Sequence, residues 1–323
     1  MLTGYEPTRF DEKDAWPELP YRDWLPTLHT VHRWTQIIGK VKLVLSPPLN
    51  HFWHAGLTVS ARGLTTSTIP VGPDALELEF DFLRHNLHLR TSSGAEKVVP
   101  LLPRTVSGFY REVMSALQAL GVEVRIRQLP DEVTEERIPF EEDDFHHAYD
   151  ADAVHRFHRA LLTASSLFAG VRSRFLGKAS PVNFYWGSFD LALSFYSGRP
   201  APERPDADAI TRGSYTHEVI SVGFWPGDAR LPEPAFYGYS VPQPAGFAQE
   251  TLVPASARYD DKLGEFILPW HRVRQEASPS GAVIAFCEGI QDAGSRLGGW
   301  DRAALFGQVP TTAAEVAPPP PPG

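Results

Sequence analysis

The sequence predicts an α+β fold built from two related halves, each a helix, an antiparallel sheet and a further helix, packed around a shared core. In each half, apolar residues recur at helical spacing, then at strand spacing, then at helical spacing again. In addition, four short strings return in the same order: residues 31–34, 39–40, 46–47 and 50–53 reappear as 154–157, 177–178, 180–181 and 183–186. A duplicated unit buries its inner faces together, so we expect a ligand cleft between the halves.

The chain divides into five predicted segments. Prolines between Trp16 and Trp24 argue against a helix or a central strand near the N-terminus. Pro130, Pro139 and an acidic run are typical of a solvated linker, and a terminal proline run is typical of disorder. The segments are an aromatic and proline-rich arm (1–26), the first half (27–127), an acidic linker (128–150), the second half (151–300) and a proline-rich disordered tail (301–323).

The first half contains the clearest strand, in which Leu and Phe alternate with acidic residues. The next strand places His88 and Arg90 against this acidic face, which predicts a cross-strand charge match. Gly121 stands where a helix C-terminal cap is expected. The predicted elements are a helix at about 27–42, strands at about 50–62, 76–82 and 87–90, and a helix at about 107–120.

The second half opens with a long helix for which Asp150 is a good N-cap. Its last helix carries Cys287 on the apolar stripe, where a thiol is usually inert packing. The predicted elements after the first helix are strands at about 183–196, 218–224, 235–240 and 265–268, and a helix at about 280–297.

Composition excludes several classes of protein. The formal net charge is -9, and no Lys/Arg cluster is longer than a pair, so neither a nucleic acid nor an anionic membrane is an expected partner. The single cysteine excludes an intramolecular disulfide and a cysteine-based zinc cluster. The first residues lack the basic and apolar regions of a secretory signal, and no apolar run reaches membrane-spanning length. We therefore expect a soluble cytosolic protein, and the sequence predicts no oligomeric state.

Three aromatic stretches carry a resemblance to a known family. They are residues 16–21, residues 50–54 and residues 186–190. The chain resembles, from about Trp16 to Trp300, an uncharacterised bacterial family that is defined only as a domain of unknown function. The resemblance implies a stand-alone bacterial protein. It implies no activity, cofactor or catalytic residue.

Spaced histidines raise the question of a metal, because neutral imidazole binds zinc, iron and copper. Two of the pairs are three apart on predicted helices, which puts both members on one face. No standard ligand pattern such as HExxH is present, and the alternative is that these are surface or hydrogen-bonded core histidines. The twelve histidines include four close pairs: His29/His32, His51/His54, His146/His147 and His155/His158.

If a divalent metal is bound, the predicted ligands are His51, His54, His217 and Glu218. His51 and His54 converge only if the strand begins after His51 or carries a bulge, because alternation sends them to opposite faces. No glycine-rich phosphate loop or dinucleotide fingerprint occurs, so a nucleotide cofactor is not expected.

Asp190 stands in a stretch of apolar and small residues, where an isolated buried charge is too costly. Its carboxyl group must therefore be paired, hydrogen-bonded or protonated, and a raised pKa suits an acid or base. We expect His217, at the start of a strand, to be its partner, with His54 as a third catalytic group. The alternative is a structural ion pair, for example with Arg199.

Aromatic residues next to glycine and proline suit the rigid walls of a pocket. The predicted ligand-binding residues are Trp53, Trp186, Trp225 and Tyr237. Core packing is the alternative interpretation of the same rings.

Two functions follow. The first is an enzyme that acts on a small organic molecule in the cleft between the halves through a His/Asp acid–base or metal site. The alternative is a non-catalytic protein that binds a small molecule in an aromatic-lined cavity. Convergence of polar groups in one concave site would favour the enzyme.

Overall fold

A computed structural model of the chain describes residues 15–207 and 209–307. The α+β prediction is confirmed, since these residues contain seven α-helices and two antiparallel sheets of six strands, one in each half. No helix in this part of the chain combines the length and apolar character that a membrane crossing requires.

In the first half, two helices flank a sheet with strand order β1-β2-β4-β5-β6, and β3 also pairs with β4. The predicted charge match is present, since Arg90 Nη1 lies 2.9 Å from Glu79 Oε2 across β4 and β5. The elements are α1 (Tyr21–Leu45), β1 (Thr58–Val59), β2 (Gly63–Thr65), β3 (Ile69–Val71), β4 (Asp74–Asp81), β5 (Asn86–Thr91), β6 (Glu96–Pro100) and α2 (Val106–Ala119).

The second half has strand order β7-β8-β9-β10-β12-β11. Asp150 caps its first helix as predicted, because its carboxylate accepts a 3.0 Å hydrogen bond from the Ala153 N–H. The elements are α3 (Ala151–Arg172), β7 (Asn183–Tyr185), β8 (Asp190–Pro200), α4 (Ala209–Ser214), β9 (His217–Trp225), β10 (Ala235–Val241), β11 (Arg258–Asp260), β12 (Glu265–Pro269), α5 (Trp270–Val273), α6 (Pro279–Leu297) and α7 (Arg302–Leu305).

The two halves share one apolar core, which runs from Trp16 to Trp300. Their sheets also meet directly, since Leu57 and Phe184 exchange two backbone hydrogen bonds of 2.8 Å. Cys287 is fully buried on α6, and this burial raises the pKa of its thiol. The inert packing predicted for Cys287 agrees with this position.

The internal duplication stays a prediction. Both halves are a helix, an antiparallel sheet and a helix, and residues 31–34 and 154–157 lie on α1 and α3. However, Trp53 follows a turn of 3₁₀ helix at Asn50–Phe52, whereas Trp186 lies in the turn between β7 and β8. The strand predicted at 50–62 is therefore wrong over most of its length, and these two tryptophans are not equivalent.

The predicted boundary of the N-terminal arm is wrong, because α1 begins at Tyr21 and includes Pro26. Trp24 and Leu28 are buried beside Pro26, and their burial outweighs the backbone hydrogen bond that a proline removes. The part of the arm before Ala15 lies outside the described residues.

The acidic linker is also not a solvated linker. We call residues 128–150 the strap, because they pack along α1 without forming a helix or a strand. Phe140 and Asp143 are fully buried there. The Gln36 side chain exchanges two 2.7 Å hydrogen bonds with the Asp131 backbone, and Lys40 forms an ion pair with the Asp131 carboxylate. Side chains of α1 thus supply the partners that the strap sequence lacks.

The predicted tail begins too early, since α7 lies within it. Phe306 and Phe175 form an isolated antiparallel β-bridge, and their ring centroids lie 5.2 Å apart. The Leu176 N–H also donates a 2.8 Å hydrogen bond to the Leu305 carbonyl. The rest of the tail, from residue 308, lies outside the described residues.

We predict that truncation at two points has different effects on thermal stability. A chain ending at residue 312 should melt like the full chain, because it keeps Phe306 and loses only the proline-rich end. A chain ending at residue 300 should melt about 2–4 °C lower, because it loses the contact between Phe306 and Phe175. Calorimetric melting of both chains checks this, and equal midpoints would contradict it.

A second prediction concerns a close contact between the halves. A methyl group on Gly39 of α1 would overlap the Trp186 indole, whereas one on Gly170 of α3 would meet nothing within 4 Å. Gly39→Ala should therefore destabilise the protein by about 1–3 kcal/mol. Gly170→Ala, the matched control, should stabilise it by about 0.5 kcal/mol. Urea unfolding measures the change in unfolding free energy of both variants. A change of the same sign in the two would contradict the close contact at Gly39.

Candidate functional site

A cleft of ≈340 Å³ lies between α1 and the second half. Its walls come from α1, from residues 132–135 of the strap, from the turn between β7 and β8, and from the connection after β9. Leu28, Phe189 and Trp225 give it apolar surface. The cleft lies at the seam where the sequence predicted one, and it contains Trp225, one of the predicted ligand-binding residues.

His29 and His32 both line the cleft, because residues three apart share one face of a helix. The two histidines have different surroundings. His32 Nε2 lies 3.0 Å from the Trp186 carbonyl and 2.9 Å from the Gly187 carbonyl. Burial lowers the pKa of His32 to about 4, so its ring is neutral near pH 7 and fastens the β7–β8 turn to α1.

The β7–β8 turn is held rigidly at the edge of the cleft. The Trp186 indole N–H donates a 2.8 Å hydrogen bond to the Ala55 carbonyl. Phe189 adopts a left-handed backbone conformation with φ of 59°, which is unusual outside glycine. The centroid of its ring lies 5.3 Å from that of Phe157 and 5.1 Å from that of Phe184. These contacts fix Ser188, whose side chain lines the cleft.

Three ionisable side chains meet at one end of the cleft. His29 Nε2 lies 3.2 Å from Glu135 Oε1, and His146 joins them so that one potential ligand atom from each lies within 4.8 Å of the other two. His29 and Glu135 are half-buried in the wall of the cleft, and His146 is buried and does not line the cleft. Burial lowers the pKa of His29, and the charge of Glu135 opposes that effect.

Asp143 holds His146 in place. His146 Nδ1 lies 2.8 Å from Asp143 Oδ2, and the other carboxylate oxygen accepts the His146 backbone N–H at 3.0 Å. The Arg33 Nε atom lies 3.3 Å from the same carboxylate. Burial by itself would raise the pKa of Asp143, but the hydrogen bonds from His146 and the charge of Arg33 lower it. His146 therefore presents Nε2 as its free ring nitrogen.

Arg33 connects both carboxylates to α1. Its guanidinium is fully buried, donates a 3.0 Å hydrogen bond to the His29 carbonyl and lies 3.4 Å from Glu135 Oε1. The cluster therefore consists of two histidines, two carboxylates and one guanidinium.

Asp190 is buried behind the cleft, and the predicted pair with His217 does not form. The Ser188 hydroxyl and the Tyr237 phenol donate hydrogen bonds to its two carboxylate oxygens. Burial raises the pKa of Asp190, and these two hydrogen bonds oppose that rise. Leu191 pairs with Phe224, whereas Pro200 pairs with His217. Asp190 and His217 consequently lie at opposite ends of β8 and β9, roughly 25 Å apart at 3.3 Å per residue.

A second carboxyl group, that of the half-buried Glu265, faces the same side of the sheet as Asp190. Burial raises its pKa to about 7, and the charge of Asp190 adds to the effect. Among the described residues, no basic side chain forms an ion pair with either group. Tyr215 and Tyr239 lie beside them and share a 2.8 Å hydrogen bond.

The remaining predicted residues lie at the far end of the second sheet. His51 and His217 have ring centroids 5.6 Å apart. Lys178 Nζ lies 2.8 Å from His51 Nε2 and 5.3 Å from the Trp53 ring centroid. His51 Nδ1 lies 2.9 Å from the Ser214 carbonyl, so both nitrogens of His51 already have partners.

The predicted metal set of His51, His54, His217 and Glu218 is not assembled. Glu218 forms an ion pair with Arg199 at 2.7 Å, which agrees with the opposite directions of adjacent strand residues. His54 Nδ1 accepts a 3.0 Å hydrogen bond from the Leu49 N–H. Within residues 15–207 and 209–307, the group that satisfies metal-ligand spacing is instead His29, Glu135 and His146.

Two of these three residues, His29 and His146, belong to the close histidine pairs in the sequence. Sequence reasoning missed Glu135 and Asp143, since both lie in the strap that resembled a solvated linker. Asp143 and His146 are three residues apart and follow Pro139. This spacing was the local signal for a turn in which the aspartate carboxylate contacts the imidazole ring.

The structure therefore defines an α+β protein with a cleft between its two halves. The chain belongs to DUF5996, a family of unknown function whose model matches residues 16–306. This confirms the resemblance inferred from the aromatic stretches. A search of curated proteins found no match, and a search of solved structures found none either.

We predict that Glu265→Gln changes the pH dependence of stability. The folded pKa of about 7 lies above the ordinary value of 4.5, so folding favours the protonated form. The contribution of Glu265 to stability should therefore be fully present below about pH 4.5 and be lost as pH rises to about 7. At pH 8 the variant should gain up to about 3 kcal/mol, less whatever its partial exposure screens. At pH 4.5 it should gain nothing.

Urea unfolding at the two pH values measures this gain. Glu123→Gln, at an exposed site in the first half, serves as the matched control and should behave like wild type at both. An equal effect of Glu265→Gln at pH 4.5 and pH 8 would contradict the raised pKa.

Proposed function

We propose that this protein is an enzyme that acts on a small organic molecule bound in the cleft between its halves. The observation that supports the proposal is the contact of 3.2 Å between His29 and Glu135 in the wall of that cleft. Convergent polar groups with shifted pKa values in a concave, partly apolar site are typical of active sites.

The cleft suits a ligand with one apolar and one polar end. Its volume of ≈340 Å³ lies at the lower end of the range for small-molecule sites. Trp225 is half-buried and offers an apolar contact, and Arg230 covers its ring at 5.4 Å while paired with Asp228 at 2.8 Å. Leu28 and Phe189 add little to this surface, because both are buried. The apolar part of a substrate would lie against Trp225, with its reacting group towards His29.

The proposal assigns the reaction to different residues from those that sequence reasoning selected. His29 and Glu135 replace His217 and His54 as the groups in direct contact with substrate. Asp190 keeps a role as a positioning residue, because its hydrogen bond from Ser188 orients a hydroxyl group in the cleft wall.

The alternative is a non-catalytic protein that binds an apolar ligand, which the aromatic rings of the cleft favour. His29→Ala separates the two functions. An enzyme would lose turnover and keep most of its ligand affinity, whereas a binding protein would show no turnover in either form.

The proposal also includes a cytosolic location and a small-molecule partner. The net charge of -9 argues against binding to nucleic acid or to anionic lipid. The single cysteine is buried and free, as is usual in compartments where disulfides do not form.

A variant that fills the cleft tests ligand binding. Thr134 lies exposed on the strap at the cleft wall, and Thr134→Trp should occupy its volume. Glu136→Trp, two residues away and exposed outside the cleft wall, is the matched control. In a thermal-shift screen of small metabolites, compounds that raise the melting temperature of wild type and Glu136→Trp should fail to do so for Thr134→Trp. Equal shifts in all three proteins would place binding outside the cleft and end the proposal.

A further inference from the structure

We propose that His29, Glu135 and His146 bind a divalent transition-metal ion of the zinc class. Two imidazole nitrogens and one carboxylate oxygen form a common catalytic zinc ligand set, in which the fourth position stays open. Here the three potential ligand atoms lie within 4.8 Å of one another. They come from α1 and from two points of the strap, so tertiary packing alone brings them together.

The separations suit an ion in the middle of the group. Ligands at about 2.0–2.2 Å from a tetrahedral zinc lie roughly 3.3–3.6 Å from one another. The separation of His29 Nε2 and Glu135 Oε1 is 3.2 Å, close to that value. One potential ligand atom of His146 lies within 4.8 Å of the other two, so its ring would move by at most about 1.5 Å to reach that separation.

The partner of His146 is a separate observation that points to a metal. A histidine that binds a metal typically donates a hydrogen bond from its other ring N–H to a carboxylate or carbonyl oxygen. This bond fixes the tautomer and the orientation of the ring. Asp143 does this for His146 at 2.8 Å, and both side chains are buried. Nε2 is the ring nitrogen that does not bond to Asp143, and it would be the ligand atom.

The charge of the surroundings is compatible with a divalent cation. Glu135 and Asp143 carry two negative charges, and Arg33 lies 3.4 Å and 3.3 Å from them with one positive charge. An ion of charge +2 brings this group to +1. A hydroxide ion or an anionic group of a ligand at the open position then brings it to zero.

A metal at this site would be next to the cleft, because His29 and Glu135 line the cleft. The inference rests on the proposed function in this respect only, since a metal at this wall would act on the molecule that the cleft holds. Metal binding itself is measurable without any substrate.

The test uses the full chain, freed of metal with a chelator that is then removed, and titrated with ZnCl₂ in a calorimeter. Wild type should bind one Zn²⁺ per chain. His146→Ala and His29→Ala should each weaken that binding by at least about 100-fold, and Asp143→Asn should weaken it by about 10–100-fold because His146 loses its orienting partner.

His147→Ala is the matched control, since His147 is the exposed neighbour of His146 and its ring bonds to the Phe145 carbonyl. It should bind Zn²⁺ like wild type. Circular dichroism melts establish that each variant is folded, and the half-buried His29 offers a second variant if His146→Ala fails to fold. Co²⁺ in place of Zn²⁺ should give the visible absorption of a four-coordinate site in wild type and not in His29→Ala.

Two outcomes would overturn the inference: wild type binds no Zn²⁺, or His146→Ala and His147→Ala bind it equally well. Failure of the metal site is distinguishable from failure of the proposed function. A protein without a metal site can still show ligand-dependent thermal shifts that Thr134→Trp abolishes, and a protein with one can show no such shifts.

Discussion

The cleft depends on the buried guanidinium of Arg33. It lies within 3.4 Å of carboxylates at two points of the strap, Glu135 and Asp143, and no part of its side chain is exposed. Removing one member of such a buried pair leaves an uncompensated charge and costs about 3–5 kcal/mol. The strap therefore cannot leave α1 without a large loss of stability. Arg33 thus holds Glu135, and through Asp143 also His146, beside α1.

Other side chains along α1 also hold neighbouring parts of the chain in place. His32 binds the β7–β8 turn, Gln36 binds the strap backbone, and Gly39 leaves room for the Trp186 indole. An ordinary surface helix has one apolar stripe and one polar face. Here polar side chains are buried against other parts of the chain, and those of His32 and Gln36 find hydrogen-bond partners there. One rigid element thus sets the geometry of both walls of the cleft.

Three carboxyl groups, Asp143, Asp190 and Glu265, differ according to their partners. Burial by itself would raise the pKa of all three. The pKa of Asp143 is nevertheless lowered, because the hydrogen bonds from His146 and the charge of Arg33 outweigh burial. The pKa values of Asp190 and Glu265 are raised, because the hydrogen bonds to Asp190 and the charge of Arg230 near Glu265 only partly oppose burial.

The sequence by itself determined the α+β class, the four long helices and the strands β4, β5, β9, β10 and β12. The alternation in β4 and the helical spacing in α3, for example, are local patterns set by burial of one face. It also determined the family and the close pairs that include His29 and His146. Only the tertiary structure decided that the strap packs along α1, that Asp190 and His217 lie at opposite ends of two strands, and that Glu135 joins the histidines. These are contacts between residues distant in sequence, and their energies depend on partners that no local pattern specifies.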